Sequence, residues 1–131
     1  MAATIFTNAT LVLPDQLVPA NRFWKLIAED GRISSMGAPA RHYPEEINLE
    51  GKYLAPGFVD LHVHGGDGFD FMDGTAEAFQ AVCRCHLRHG TTSLTPTSTV
   101  ARMDQYLRFL ELCGELYGDV PGGARIVGSH F

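Results

Sequence analysis

The chain has 131 residues and a mass of 14.3 kDa, and its residues are 45% hydrophobic and 19% charged. This balance favours a compact folded domain over a disordered chain, but the length falls short of a complete (β/α)8 barrel, which takes roughly 250 residues. Ten basic and fifteen acidic residues give a formal charge of −5 without a basic cluster, so we expect no nucleic-acid partner.

Secretion and membrane insertion are not predicted. The opening MAATIFTNATLVLP lacks the basic start and the apolar run of a signal peptide, and no apolar stretch reaches the length of a membrane span. Cys83, Cys85 and Cys113 are odd in number and irregularly spaced, which indicates reduced thiols. We therefore expect a cytoplasmic protein with no membrane partner.

Residues 1–54 predict a β-rich segment of short strands and turns. ATIFTNATLVL forms an extended run that stops at Pro14 and Asp15. FWKLIAE then meets RISSMG across Asp30 and Gly31, a dipeptide typical of tight hairpin turns. The pattern changes after this segment, and we place its boundary at residue 54.

Residues 55–131 show an alternation of strand and helix patterns. The runs FVDLHVH, TTSLTPT and ARIVGSHF predict strands, and residues 75–89 and 101–117 predict the helices between them. Helical crossovers connect parallel strands, so this order predicts a parallel sheet in an α/β fold. A doubly wound sheet and the opening of a (β/α)8 barrel both fit. The second helix is expected to have one apolar face, made by Met103, Tyr106, Leu107, Leu110 and Cys113 or Gly114.

Two histidines end the strand FVDLHVH, directly before a pair of glycines. Alternate side chains of a strand share a face, so His62, His64 and Asp60 project the same way, and both imidazoles reach one cation. An isolated His-x-His is more often a structural pair, but the Pro-Gly lead-in, the aspartate and the glycine exit favour a metal site. We predict His62 and His64 as metal ligands. Asp60 is a candidate either for fixing a ring tautomer or for a structural role near the core.

The stretch PGFVDLHVHGG resembles the first barrel strand of the amidohydrolase superfamily, which carries a metal-binding His-x-His. IAEDGRISSMG resembles the strand-turn-strand of the small β-rich domain that precedes that barrel. The resemblance implies the start of a (β/α)8 barrel over residues 55–131, preceded by a small sandwich-like segment over residues 1–54, with the barrel incomplete.

Within the superfamily, HGGDGFDFMDGT, HGTTSLTPTSTV and ARIVGSHF resemble the N-acetylglucosamine-6-phosphate deacetylase family. The third strand of that family leads into a His-Leu-Glu-Gly-Pro motif whose glutamate is a metal ligand. Here His130 and Phe131 fill the first two positions, with Phe in place of Leu, and the glutamate position would come next. We therefore expect the chain to be a fragment of the full enzyme.

The resemblance implies metal-dependent deacetylation of N-acetylglucosamine 6-phosphate to glucosamine 6-phosphate and acetate. It implies a small amino-sugar phosphate as substrate and a homodimer in the full-length enzyme. The divalent cation is expected to be Zn²⁺, with Fe²⁺ and other first-row ions left open because imidazole suits them all. The general base, an aspartate in the family, and the remaining ligands are expected beyond Phe131, so the 131 residues alone are expected to be inactive.

Two alternatives remain open at this point. A cyclic amidohydrolase, such as a dihydroorotase or hydantoinase, shares the Pro-Gly lead-in and the His-x-His, although HGGDGFDFMD argues against it. A non-catalytic module derived from an amidohydrolase would keep the same surface without the chemistry.

Four further side chains crowd one predicted helix, namely Cys83, Cys85, His86 and His89. Their two contact-spaced pairs lie on different faces of the helix, so we favour buried thiols and a helix-end histidine over a second metal site.

Asp67, Asp70 and Asp73 recur every third residue, but the apolar residues between them do not match a calcium-binding loop. We favour a loop over the site whose carboxylates are solvated or cap the following helix.

Overall fold

The structure of the chain, a computed structural model, describes residues 3–21, 25–37 and 46–131. It divides into two compact units, Met1–Pro56 and Gly57–Phe131. The first two residues of the predicted strand FWKLIAE lie outside the described residues. In the described part, no helix is long and apolar enough to cross a membrane.

The first unit contains two small sheets in its described residues. One has the order β5-β4-β1-β6 and the other the order β3-β2-β7. Ile5, Leu11 and Ile27 are their buried apolar side chains. The strands are β1 (Ala3–Thr7), β2 (Thr10–Val12), β3 (Leu17–Val18), β4 (Lys25–Glu29), β5 (Arg32–Gly37), β6 (Glu46–Asn48) and β7 (Tyr53–Leu54).

The predicted hairpin between β4 and β5 is confirmed. Glu29 pairs with Arg32, and the two residues between them, Asp30 and Gly31, have φ values of 52° and 72°. Two consecutive left-handed residues match the right-handed twist of the flanking strands, which is why Asp-Gly is favoured there.

The predicted single run over residues 3–13 is broken at Asn8. This residue has a φ of 54°, and its backbone carbonyl accepts a hydrogen bond from the N–H of Gly51 at 2.7 Å. Asparagine tolerates the left-handed region better than most residues, so the chain turns here, and β1 and β2 join different sheets.

The second unit confirms the predicted alternation of strands and helices. Strands β8, β11 and β12 are parallel, in the order β12-β11-β8, and a helix follows each of the first two. Three strands do not close into a barrel. The elements are β8 (Phe58–Val63), β9 (Gly65–Gly66), β10 (Phe69–Asp70), a 3₁₀ helix (Phe71–Asp73), α1 (Ala76–Arg88), β11 (Thr91–Pro96), α2 (Met103–Glu115) and β12 (Arg125–Ile126).

Helix α1 has both of the end signals that the sequence contains. The Thr75 hydroxyl accepts a hydrogen bond from the N–H of Ala78 at 3.2 Å, which pairs one of the free amides of the first turn. The helix ends at Arg88, His89 is its C-cap residue, and Gly90 follows with a φ of 93°. These caps set the length of α1 and return the chain to the sheet as β11.

The core of the second unit is built on three phenylalanines. Phe71, Phe79 and Phe109 are fully buried, and the ring of Phe79 lies 4.8 Å from Phe71 and 6.1 Å from Phe109, centroid to centroid. Edge contacts of this kind are favourable for aromatic pairs. The cluster joins α1, α2 and the 3₁₀ helix on one face of the sheet.

The predicted apolar face of α2 is partly wrong: Cys113 is buried and Leu110 packs against the core, but two of its other members are exposed. Phe109, Leu112 and Cys113 are buried, whereas Met103 is 72% exposed and Leu107 is 54% exposed. The row that contains Phe109 faces the core, where its ring packs against Phe79 of α1.

Candidate metal centre

The structure brings His62 and His64 together at the carboxyl end of β8. Their Nε2 atoms are 3.1 Å apart, and the ring planes meet at 72°. His62 is exposed and His64 is half-buried, whereas Val63 between them is buried on the other side of the strand. The period-two alternation of the strand therefore places both imidazoles on one face, as the sequence predicts.

The tautomer of His64 is fixed by the neighbouring strand. Its Nδ1 lies 3.2 Å from the backbone carbonyl oxygen of Thr97. A carbonyl only accepts hydrogen bonds, so the His64 Nδ1–H must donate, and the lone pair is left on Nε2. This is the arrangement that protein metal sites use to orient a ligating histidine.

Thr97 holds the ends of β8 and β11 in register. The Thr97 side chain is 2% exposed, and its hydroxyl accepts a hydrogen bond from the N–H of Val63 at 3.0 Å. The Thr97 N–H in turn donates to the carbonyl of Val63 at 2.9 Å. The pairing shifts between Leu94 and Pro96, so a side-chain hydroxyl takes the place of a regular backbone acceptor. Thr97 thus forms hydrogen bonds with both the backbone N–H and the backbone carbonyl of Val63, the residue before His64.

The carboxylate of Asp60 contacts the backbone of its own strand, β8. Its carboxylate accepts a hydrogen bond from the N–H of His62 at 3.1 Å. Asp60 thus contacts the backbone of His62, and its role at the site stays a prediction.

The sequence reasoning missed His130 as a member of this cluster. Its ring centroid lies 4.6 Å from that of His62, at an interplanar angle of 44°. The His130 N–H donates to the carbonyl of Pro96 at 2.9 Å, and its carbonyl accepts from the N–H of Ser98 at 3.0 Å. The available signal was its place near the end of the predicted third strand ARIVGSHF, since the ends of parallel strands meet at one edge of a sheet; in the structure it lies four residues after β12.

These side chains line a cavity of about 430 Å³. One wall contains hydroxyl groups, and the Ser98 and Tyr106 hydroxyls are hydrogen-bonded to each other at 3.0 Å. The cavity is lined by His62, His64, Thr97, Ser98, Thr99, Val100, Tyr106, His130 and Phe131. A polar molecule placed here would meet both imidazoles and several hydroxyls.

A second metal site on α1 is not supported. Cys83 is fully buried, and burial raises the pKa of its thiol to about 11. His86 uses Nε2 to contact the carbonyl of Gly65 at 3.2 Å. Across residues 3–21, 25–37 and 46–131, no three His, Cys, Asp or Glu side chains are grouped so as to hold a metal.

The three aspartates of the loop have separate structural roles. Asp70 caps the 3₁₀ helix by accepting from the N–H of Met72 at 2.8 Å, and the carboxylate of Asp73 accepts from the N–H of Asp70 at 2.8 Å. Asp67 forms an ion pair with Arg88, and the hydrogen bond from this guanidinium lowers the pKa of the Asp67 carboxyl. The expectation that these carboxylates cap the following α-helix is wrong, because Thr75 caps α1 and the carboxylates cap the 3₁₀ helix instead.

Comparison with known proteins finds relatives in sequence and in fold. The chain is 31% identical over 132 residues to N-acetylglucosamine-6-phosphate deacetylase of Mus musculus, with 96% of this chain and 30% of that protein covered. The fold is shared with the Pasteurella multocida deacetylase of the same name, at a TM-score of 0.75 and 22% identity, over 86% of this chain and 30% of that one. A mutant of the Mycobacterium smegmatis enzyme, in complex with N-acetyl-D-glucosamine-6-phosphate, gives a TM-score of 0.68 and 28% identity, over 88% of this chain and 30% of that one.

The chain thus spans less than a third of the length of these relatives. Its second unit corresponds to part of their fold, which agrees with the expected opening of a barrel. The sequence model of the amidohydrolase family matches residues 53–131, which include β8, both histidines and all of the parallel sheet. Enzymes of this superfamily generally depend on divalent metals. The chain belongs to the amidohydrolase family.

Proposed function

We propose that this chain contributes the first part of the active site of a metal-dependent deacetylase. The proposed reaction is hydrolysis of the acetamide of N-acetylglucosamine 6-phosphate, which gives glucosamine 6-phosphate and acetate. The observation that carries the proposal is the pair of imidazoles of His62 and His64, with Nε2 atoms 3.1 Å apart at the carboxyl end of a parallel strand. The names of the relatives in mouse and mycobacteria support the choice of substrate.

The donor set fits a first-row divalent cation. Zinc binds imidazole nitrogen at about 2.0–2.1 Å, so two ligating nitrogens must lie within about 4 Å of each other. The Nε2 atoms of His62 and His64 satisfy this condition. His64 also has its proton on Nδ1, so its Nε2 carries a lone pair, which contacts Nε2 of His62 in the structure and would bind a cation in its place. We propose Zn²⁺ as the ion, with Fe²⁺ as an alternative that imidazole ligation does not distinguish.

The residues of this chain have separate proposed tasks in the reaction. His62 and His64 hold the cation, and Thr97 keeps His64 in the tautomer that binds. When bound, such a cation lowers the pKa of water and polarises an amide carbonyl. The hydroxyls of Ser98 and Tyr106 line the same cavity and offer hydrogen bonds to a polar sugar.

The remaining ligands and the general base are proposed to come from outside these residues. Two imidazoles leave most positions around a metal to solvent, and a catalytic zinc site has three protein ligands as a rule. Within the described ranges, no third His, Cys, Asp or Glu joins the pair. We therefore propose that residues 1–131 alone bind metal weakly and do not turn over substrate.

The wider organisation is proposed on the same basis. Residues 1–54 would form a small sandwich-like β segment, and residues 55–131 would open the (β/α)8 barrel of a homodimeric enzyme. Three cysteines without a disulfide support a reducing, cytoplasmic location.

The proposal is tested by assaying acetate release from N-acetylglucosamine 6-phosphate beside ring opening of dihydroorotate. The assay uses the proposed longer protein of which residues 1–131 form a part, reconstituted with zinc. We expect acetate release, its loss in His64→Ala, and its retention in His89→Ala, which removes an exposed imidazole at the end of α1. Ring opening in place of acetate release would favour a cyclic amidohydrolase, and the absence of both activities would favour a non-catalytic module.

A further inference from the structure

The two histidines of the metal centre are held in different ways. His64 is half-buried, and its Nδ1 is bonded to the carbonyl of Thr97. His62 is exposed, and its ring lies between those of His64 and His130. The orientation of the His62 imidazole therefore depends on its ring neighbours rather than on a backbone carbonyl of the next strand.

His130 occupies a fixed position beside this ring. Its backbone extends the parallel pairing beyond β12, with Thr97 opposite it on the neighbouring chain segment. The backbone N–H of His130 donates a hydrogen bond to the carbonyl of Pro96 at 2.9 Å, and its backbone carbonyl accepts one from the N–H of Ser98 at 3.0 Å. The backbone cannot shift without breaking this pairing, which fixes the point from which the exposed imidazole of His130 reaches the ring of His62.

We infer that His130 is a positioning residue for His62, a role that rests on the proposed metal centre. Its ring packs against His62 at a centroid distance of 4.6 Å and an angle of 44°, and it restricts His62 to the rotamer that turns Nε2 toward His64. Ring pairs with centroids 4.5–7 Å apart are favourable beyond the area they bury. His130 thus preorganises the more exposed of the two ligands.

Packing and direct ligation make different demands on His130. A ligand must bring a nitrogen to the point shared by the other two imidazoles, but His130 does not complete such a group of three in the described ranges. A ring that only packs against His62 needs a flat aromatic surface of similar size and no nitrogen. Phenylalanine keeps this surface and lacks the nitrogens, so His130→Phe separates the two roles.

The test is titration of the apoprotein that contains residues 1–131 with Co²⁺, followed by visible absorption. We expect His130→Ala to weaken cobalt binding by about three- to tenfold, as the loss of one aromatic pair implies. His130→Phe should stay within about twofold of wild type and retain the wild-type absorption bands. His89→Ala is the matched control, because it removes an exposed histidine at the end of α1.

Each outcome decides between the explanations. Unchanged affinity in His130→Ala would overturn the positioning role. Equal weakening in His130→Phe and His130→Ala would overturn it as well, because it would show that a nitrogen of His130 is required. Failure of the wild-type protein to bind cobalt would instead refute the proposed metal centre itself. Circular dichroism of each variant checks that it has folded. If His130→Ala does not fold, His130→Phe decides alone, and a shift of its cobalt absorption bands from those of wild type would contradict the positioning role.

Discussion

Replacing Thr97 with valine removes one hydroxyl at nearly constant volume. Thr97 is 2% exposed, and its hydroxyl is the acceptor for the N–H of Val63, which is itself 6% exposed. In Thr97→Val this buried N–H has no partner, and an unsatisfied buried donor costs about 1–3 kcal/mol. We expect the free energy of unfolding to fall by this amount.

The same change should also reach the metal centre. Val63 precedes His64, so a loosened strand end lets the His64 ring move away from the carbonyl of Thr97 that fixes its tautomer. Changes to groups that orient metal ligands typically weaken metal affinity by about tenfold to a hundredfold. We expect the lower end of that range, because the carbonyl itself remains in the variant.

Urea unfolding and a zinc titration measure the two effects. Thr97→Ser restores the hydroxyl and should recover most of the stability, with a loss of about 1 kcal/mol for the missing methyl group. Thr92→Val changes an exposed threonine of β11, the strand that precedes Thr97, and should stay within about 0.5 kcal/mol of wild type. If Thr97→Val is as stable as Thr92→Val and binds zinc equally well, the assigned role of the hydroxyl is wrong.

Three further changes test the fold around the site. Phe79→Ala should cost about 3–5 kcal/mol in urea unfolding, because it empties the centre of the aromatic cluster; a loss below 1 kcal/mol would contradict that packing. Gly65→Ala should weaken zinc binding, since its Cβ would collide with the carbonyl oxygen of Phe69, and an unchanged zinc affinity would count against the tight loop. Burial raises the pKa of Cys83 to about 11 and of Cys113 to about 12, from the usual 9.0, so only the unfolded state loses these protons just above pH 9. The free energy of unfolding should therefore not depend on these thiols below pH 9. Between pH 9 and 11 it should fall by up to about 1.4 kcal/mol per pH unit for each thiol, and a flat profile in that range would refute their burial.

Local patterns in the sequence predicted the features that depend on a few neighbouring residues. The period of two in FVDLHVH placed His62 and His64 on one face, and Asp30-Gly31 placed the hairpin. The alternation of strand and helix patterns predicted the parallel sheet of the second unit. Each of these follows from backbone geometry within one or two elements.

Features that depend on the pairing of distant strands were not predictable in the same way. The roles of Thr97 and His130 arise because β11 and the chain after β12 end beside His62 and His64. A single sequence does not specify the register that brings them there. The face of α2 was partly wrong for a related reason, since the packing of Phe109 against the core turns Met103 and Leu107 toward solvent.

The central claim is that His62 and His64 bind one cation through Nε2. It is tested most directly by long-range ¹H–¹⁵N spectra of the histidine rings, recorded while zinc is added to the apoprotein that contains residues 1–131. We predict that the Nε2 resonances of His62 and His64 shift together, that His64 keeps its proton on Nδ1, and that His86 and His89 do not change. Shifts confined to His86 and His89, or no shift at His62 and His64, would contradict the account.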